Sequence, residues 1–124
     1  MSIEAIGDAG HEGLPLSAAV RAGDFLFVSG MVGFGPGGEI VPGGVGPETD
    51  RIIADLEALL HQAGVGLDRV VKVNVFLTDS ADFEAFNRAY AKHFGDPKPA
   101  RIGVVTDLTI GAKVEMDFTA YLGA

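Results

Sequence analysis

The C-terminal stretch "AKVEMDFTAYL" alternates Val114, Met116, Phe118 and Ala120 with Glu115, Asp117, Thr119 and Tyr121. Successive side chains of a strand point to opposite faces, so this two-residue period marks a strand with one face in a core and the other outside it. "DRVVKVNVFLTD" carries the same period. Val71, Val73, Val75 and Leu77 form one face, and Lys72, Asn74, Phe76 and Thr78 the other. Two half-apolar strands must bury those faces against another layer, and this need decides the fold class.

Helices supply that layer. "ETDRIIADLEALLHQAG" places Ile52, Ile53, Leu56, Leu59, Leu60 and Ala63 at helical spacing. Thr49 or Asp50 is expected to cap its start and Gly64 to end it. A second helix is expected after a cap at Asp79 or Ser80, with Phe83, Phe86, Asn87, Tyr90 and Phe94 in one stripe closed by Gly95. "LSAAVRAGDFLFVSG" reads as strands over Leu16–Arg21 and Phe25–Ser29, turning at Ala22-Gly23-Asp24. "PKP" forbids helix and leads into a strand from Arg101 to Val105. The order is β-β-α-β-α-β-β, an α+β chain with two helices on one face of a mixed sheet. The other sheet face then lacks a cover.

At 124 residues the chain is read as a single domain spanning 1–124. Apolar residues make up 48% and the mean hydropathy is +0.30, an excess for so small a chain that points to an oligomer interface. Seventeen acidic against nine basic residues give a net charge of −8, and the cations are scattered, so neither nucleic acid nor an anionic membrane surface is an expected partner. There is no cysteine, which removes disulfides, thiolate metal sites and a cysteine nucleophile. The first twenty residues lack the pattern of a signal peptide and no apolar run is long enough to span a bilayer. A soluble, cytoplasmic protein is expected. The glycine-rich segment 33–48 has neither P-loop nor dinucleotide-turn order and is expected to be a hairpin-like loop.

Few residues can carry chemistry. No serine lies in a nucleophile-elbow motif, and Ser29 has no acidic or histidine neighbour in sequence. His11, His61 and His93 show no metal-ligand spacing, and no metal or cofactor is expected; His61 and His93 read as helix-surface residues. Arg101 and Glu115 stand out because both lie on strands. An arginine at the mouth of an apolar strand either points to water or waits for an anion, and its planar fork suits a carboxylate. Glu115 can orient or deprotonate a water, with Asp117 on the same face as its rival. If the last two strands are neighbours, the two residues reach one pocket rim, either as a site or as an ordinary ion pair.

"PKPARIGVV" followed by "VEMDFTAYL", with "VSGMVGF" and "LHQAGVGLDRVVKVNVFLTDSADFEAFNRAYAKHF" before them, resembles the RidA family of enamine/imine deaminases, also called the YjgF/UK114 family. The likeness runs from Pro15 to Leu122. It implies a chorismate-mutase-like α+β fold, a homotrimer whose sheets form a central barrel, and pockets in the clefts between subunits. It also implies that Arg101 holds the substrate carboxylate and that Glu115 helps place the attacking water, with Ser29, Gly30 and Asn87 lining the pocket. Four lining positions depart from the family pattern. Leu16 stands where active members often carry tyrosine, Met31 where glutamine is common, and Ile102-Gly103 where a Ser-Cys or similar pair is usual, so a more apolar pocket is expected.

The activity so implied is hydrolysis of a small 2-imino or enamine carboxylic acid, such as 2-iminobutanoate or 2-iminopropanoate, to a keto acid and ammonia without a cofactor. Two alternatives accompany it. One is a trimer that binds small carboxylates or a protein partner without turnover. The other is a pathway-specific deaminase with a more apolar pocket.

Overall fold

The computed structural model describes residues 2–8 and 13–124, so His11 lies outside the described residues. Six strands form one sheet: β1 Ile3–Ile6, β2 Ala19–Ala22, β3 Phe25–Met31, β4 Val70–Leu77, β5 Ala100–Val105 and β6 Val114–Tyr121. Helices α1, Val45–Gln62, and α2, Phe83–Ala91, complete the chain. The spatial strand order is β1-β2-β3-β6-β4-β5, antiparallel throughout except for the parallel pair of β4 with β5. The mixed α+β sheet with two helices on one face is thus as expected, with one strand more. None of the helices among the described residues is long and apolar enough to cross a membrane.

The core lies between the sheet and the helices. Val114, Met116, Phe118 and Ala120 of β6 are all buried, as their alternation requires. They meet Leu26 and Val28 of β3, Val73, Val75 and Leu77 of β4, and Ile52, Ile53, Leu56 and Leu60 of α1. β4 departs from the simple alternation at its start. A register shift against β6 between Val70 and Lys72 puts Val70 in the core and leaves Val71 43% exposed, because the extra residue of a bulge reverses the side-chain parity before it.

Other boundaries also move. α1 begins at Val45, ahead of the Thr49 or Asp50 cap, because Gly46 and Pro47 fall in the first turn, where backbone N–H groups have no intrahelical partner to lose. Thr49 is instead fully buried inside the helix. The far end is as expected. Gly64 has φ +83°, its N–H donates to the His61 carbonyl and that of Val65 to Leu60, a complete Schellman closure. At the second helix, Asp79 accepts from the Ala81 N–H and caps a single 3₁₀ turn, Ser80–Asp82, from which α2 continues. β2 starts later than expected, at Ala19, and β3 runs on to Met31. The loop 33–44 is hairpin-like, with Phe34 bridged to Ile40.

β5 lies at the sheet edge, and every residue in it is exposed. The apolar run after Arg101 is therefore not a buried strand. Parallel pairing of β5 with the middle of the chain cannot be read from local pattern, since a short apolar run fits a buried and an edge strand equally.

Candidate functional site

Face parity positions the candidate residues. Arg101 pairs with Val73 and Gly103 with Val75, both core-facing, so Arg101 and Gly103 lie on the helix side of the sheet. Glu115 pairs with Phe76, which lies on the opposite side with Asn74 and Lys72. β4 separates the two strands, so Arg101 and Glu115 stand two strand spacings apart across the sheet, roughly 10 Å, are offset by three residues, roughly another 10 Å, along it, and lie on opposite faces. Within one chain they form neither an ion pair nor a common rim. The expectation that the last two strands are neighbours is corrected by the sheet order.

Around Arg101 the helix side supplies aromatic rings. The guanidinium carbon is 4.8 Å from the Tyr90 ring centroid, 5.4 Å from that of Phe86 and 5.9 Å from that of Phe83. These rings come from the α2 stripe whose spacing reads, in sequence, only as a core face. Each is within cation–π range, and the negative face of a ring attracts the cation without using its N–H donors. The Arg101 side chain makes no hydrogen bond or ion pair among the described residues, so its in-plane fork is free for an anion. Burial pushes the Tyr90 phenol up, and the neighbouring Arg101 charge opposes that rise. Asn87, half-buried on the same helix, sits one turn beyond Phe83. A cleft of about 340 Å³ extends from Arg101 between β5 and α2, lined by Val75, Leu77, Phe83, Phe86, Gly103 and Val105.

On the open face a second group gathers. Any Cβ at Gly30 would run into the Glu115 carboxylate, so only glycine lets that carboxylate lie on the β3 backbone. The Ser29 hydroxyl donates to the Ser17 carbonyl at 2.6 Å, tying β3 to the segment that carries Leu16, which is half exposed. Burial raises the pKa of Glu115, and the charge of Asp117 raises it further. Asp117 is itself engaged, accepting from Asn74 Nδ2 at 2.8 Å. Ile102 projects to this face beside Asn74. Met31, half-buried, pairs with buried Met116 and packs against the core.

The histidines stay apart. His61 is exposed at the end of α1, beside a shallow groove of about 520 Å³ with Gly64, Gly66, Asp68 and Arg69 that holds none of the candidate residues. His93 is not a free helix-surface residue: its Nε2 lies 2.7 Å from Asp50 Oδ1, bracing the end of α2 against α1. Among the described residues no group of three His, Asp or Glu could hold a metal ion.

Known proteins share both the sequence and this architecture. A family model described as Endoribonuclease L-PSP matches residues 11–122. A RutC family protein of Pyrococcus abyssi is 42% identical over 109 residues, covering 86% of each chain. The crystal structure of RidA from an Antarctic Psychrobacter superposes with a TM-score of 0.88 at 31% identity, over 95% of this chain and 98% of that one. The chain belongs to the RidA family of enamine/imine deaminases. Reactive Intermediate Deaminase A of the Arabidopsis thaliana chloroplast is 36% identical over 110 residues, 87% of this chain and 59% of that protein.

Proposed function

We propose that this RidA-family chain hydrolyses small 2-imino or enamine carboxylic acids to keto acids and ammonia, in sites shared between copies of a homotrimer. The observation that carries the reading is the arginine with its side-chain donors free and three aromatic rings within 6 Å of its guanidinium carbon, at the mouth of an apolar cleft. An apolar site that takes up a carboxylate needs such a cation, because an unpaired buried charge is costly. Since Glu115 faces away from Arg101 in its own chain, the glutamate that meets a ligand on Arg101 comes from a second copy docked along the exposed β5 edge.

The chemistry needs little more. Arg101 holds the carboxylate and so fixes the adjacent C=N carbon. Glu115 of the second copy accepts a proton from water as the water oxygen bonds to that carbon. The same carboxyl, whose raised pKa suits it to carry a proton, returns it to the amino nitrogen. Collapse of the tetrahedral adduct passes the hydroxyl proton to the nitrogen as the C–N bond breaks, and releases ammonia and the keto acid. No redox change or cofactor enters. A net charge of −8 weighs against the nuclease activity that the family model's description suggests, since a phosphate backbone calls for a basic track.

A carboxylate-binding protein without turnover is the second reading, favoured by one observation: among the described residues Arg101 is the only charged one lining its cleft. Both are tested by generating 2-iminopropanoate in situ with an amino-acid oxidase and following ammonia release. Wild type is expected to accelerate release, Arg101→Ala to abolish the effect and Arg101→Lys to keep little of it, the fork being lost. Carboxylate binding through Arg101 with no acceleration would establish the second reading.

A further inference from the structure

The cleft that starts at Arg101 continues along the strand. Arg101, Gly103 and Val105 share one face of β5 at about 6.6 Å intervals, so the cleft runs about 13 Å from the guanidinium to Val105. Its floor is Val75 and Leu77, and its far wall Phe83 and Phe86. Its volume, about 340 Å³, lies within the roughly 300–1,000 Å³ range of small-molecule sites and exceeds what a three-carbon acid fills. Beyond Arg101 the lining is apolar save for Ser80 at the rim.

Gly103 in the middle of this wall is unexplained by the fold. Its φ lies outside the region that favours glycine, and a Cβ there would stand 3.8 Å from the Val75 Cβ, ordinary contact distance. Neither backbone nor packing excludes a side chain, while glycine inside a strand weakens it. What a side chain at 103 would take away is the space of the cleft. We propose that this site selects 2-imino and 2-oxo acids with a branched or aromatic apolar side chain over their three-carbon homologues, and that Gly103 sets the selection. The inference rests on the carboxylate-holding role of Arg101 proposed above.

Calorimetry with pyruvate, 4-methyl-2-oxopentanoate and phenylpyruvate tests it on the intact protein without requiring turnover. Each buried methylene is worth about fourfold, so the branched acid should bind wild type roughly 10- to 60-fold more tightly than pyruvate. In Gly103→Val that ratio should fall at least about tenfold, valine being a favourable residue for an edge strand. Gly103→Ala, the milder change, should move it in the same direction by roughly threefold. Affinities within about twofold of each other in wild type, or a ratio unmoved in both variants, would overturn the selection while leaving the arginine site standing. Retention of the preference in Arg101→Ala would overturn the carboxylate anchor and with it this inference.

Discussion

Arg101 and Glu115 are held by opposite means. The arginine is exposed but orientated by three rings, whereas the glutamate lies against the Gly30 backbone without a hydrogen-bond donor among the described residues. Burial and the Asp117 charge raise its pKa, so the protonated form is favoured above the ordinary carboxylate range. As a base it must be ionised, and kcat/KM is therefore expected to rise with pH along a limb above that range. Glu115→Gln should lose the limb and turn over roughly 10- to 10⁴-fold more slowly, while Asp117→Asn, whose carboxylate is occupied by Asn74, does much less. The stability sign follows from the same shift. A folded pKa above the unfolded one contributes stability that is complete below the unfolded value and lost as pH rises through the folded value. Glu115→Gln should accordingly melt higher than wild type near about pH 8 and equal it near about pH 4. A flat pH profile, or wild-type turnover in the variant, would remove Glu115 from the reaction.

At the scale of elements, the start of β6 is held by a residue 65 positions earlier in the sequence. Glu48, in the first turn of α1 and 3% exposed, accepts the Lys113 backbone N–H on Oε1 at 2.8 Å, and the Lys113 carbonyl accepts from the Thr78 N–H. Glu48→Ala removes the acceptor and leaves a gap, so a loss of about 2–4 kcal/mol in denaturant unfolding at fixed protein concentration is expected, against under about 1 kcal/mol for Glu48→Gln. Equal losses would show that volume, not the hydrogen bond, holds the strand. This tie has no sequence signature, because its partners are 65 residues apart. What was legible is local: the alternation of β6, the glycine closure of α1, the α2 stripe. β1 was not, since "IEAI" offers only four residues and is a strand only because Ile3 to Ile6 pair with Ala22 to Ala19. Nor was the separation of Arg101 from Glu115, which depends on β4 lying between them.

For the whole molecule, the uncovered sheet face is the dominant fact. Phe25, Phe27, Val71, Ile102 and Val104 are each at least 41% exposed on or beside it, and β5 adds an unpaired apolar edge. Such surface is rarely left to water in a small protein. In the homotrimer proposed above, closing these faces into a barrel would hide it and would bring Glu115 of one copy to Arg101 of the next. This geometry has a consequence that a site within one chain lacks. Arg101→Ala and Glu115→Gln, each strongly impaired alone, remove different halves of every site. If chains are unfolded together in equal amounts and refolded, each shared site draws its arginine from one chain and its glutamate from another. About one site in four then receives both native residues. Roughly a quarter of wild-type turnover should return on mixing, with light scattering showing a particle about three times the chain mass. Recovery should vanish when the two changes are placed in the same chain and mixed with nothing else. A mixture that stays as inactive as its components, in particles of trimer mass, would mean that one chain supplies both groups, and the opposite-face geometry would then have to change on assembly.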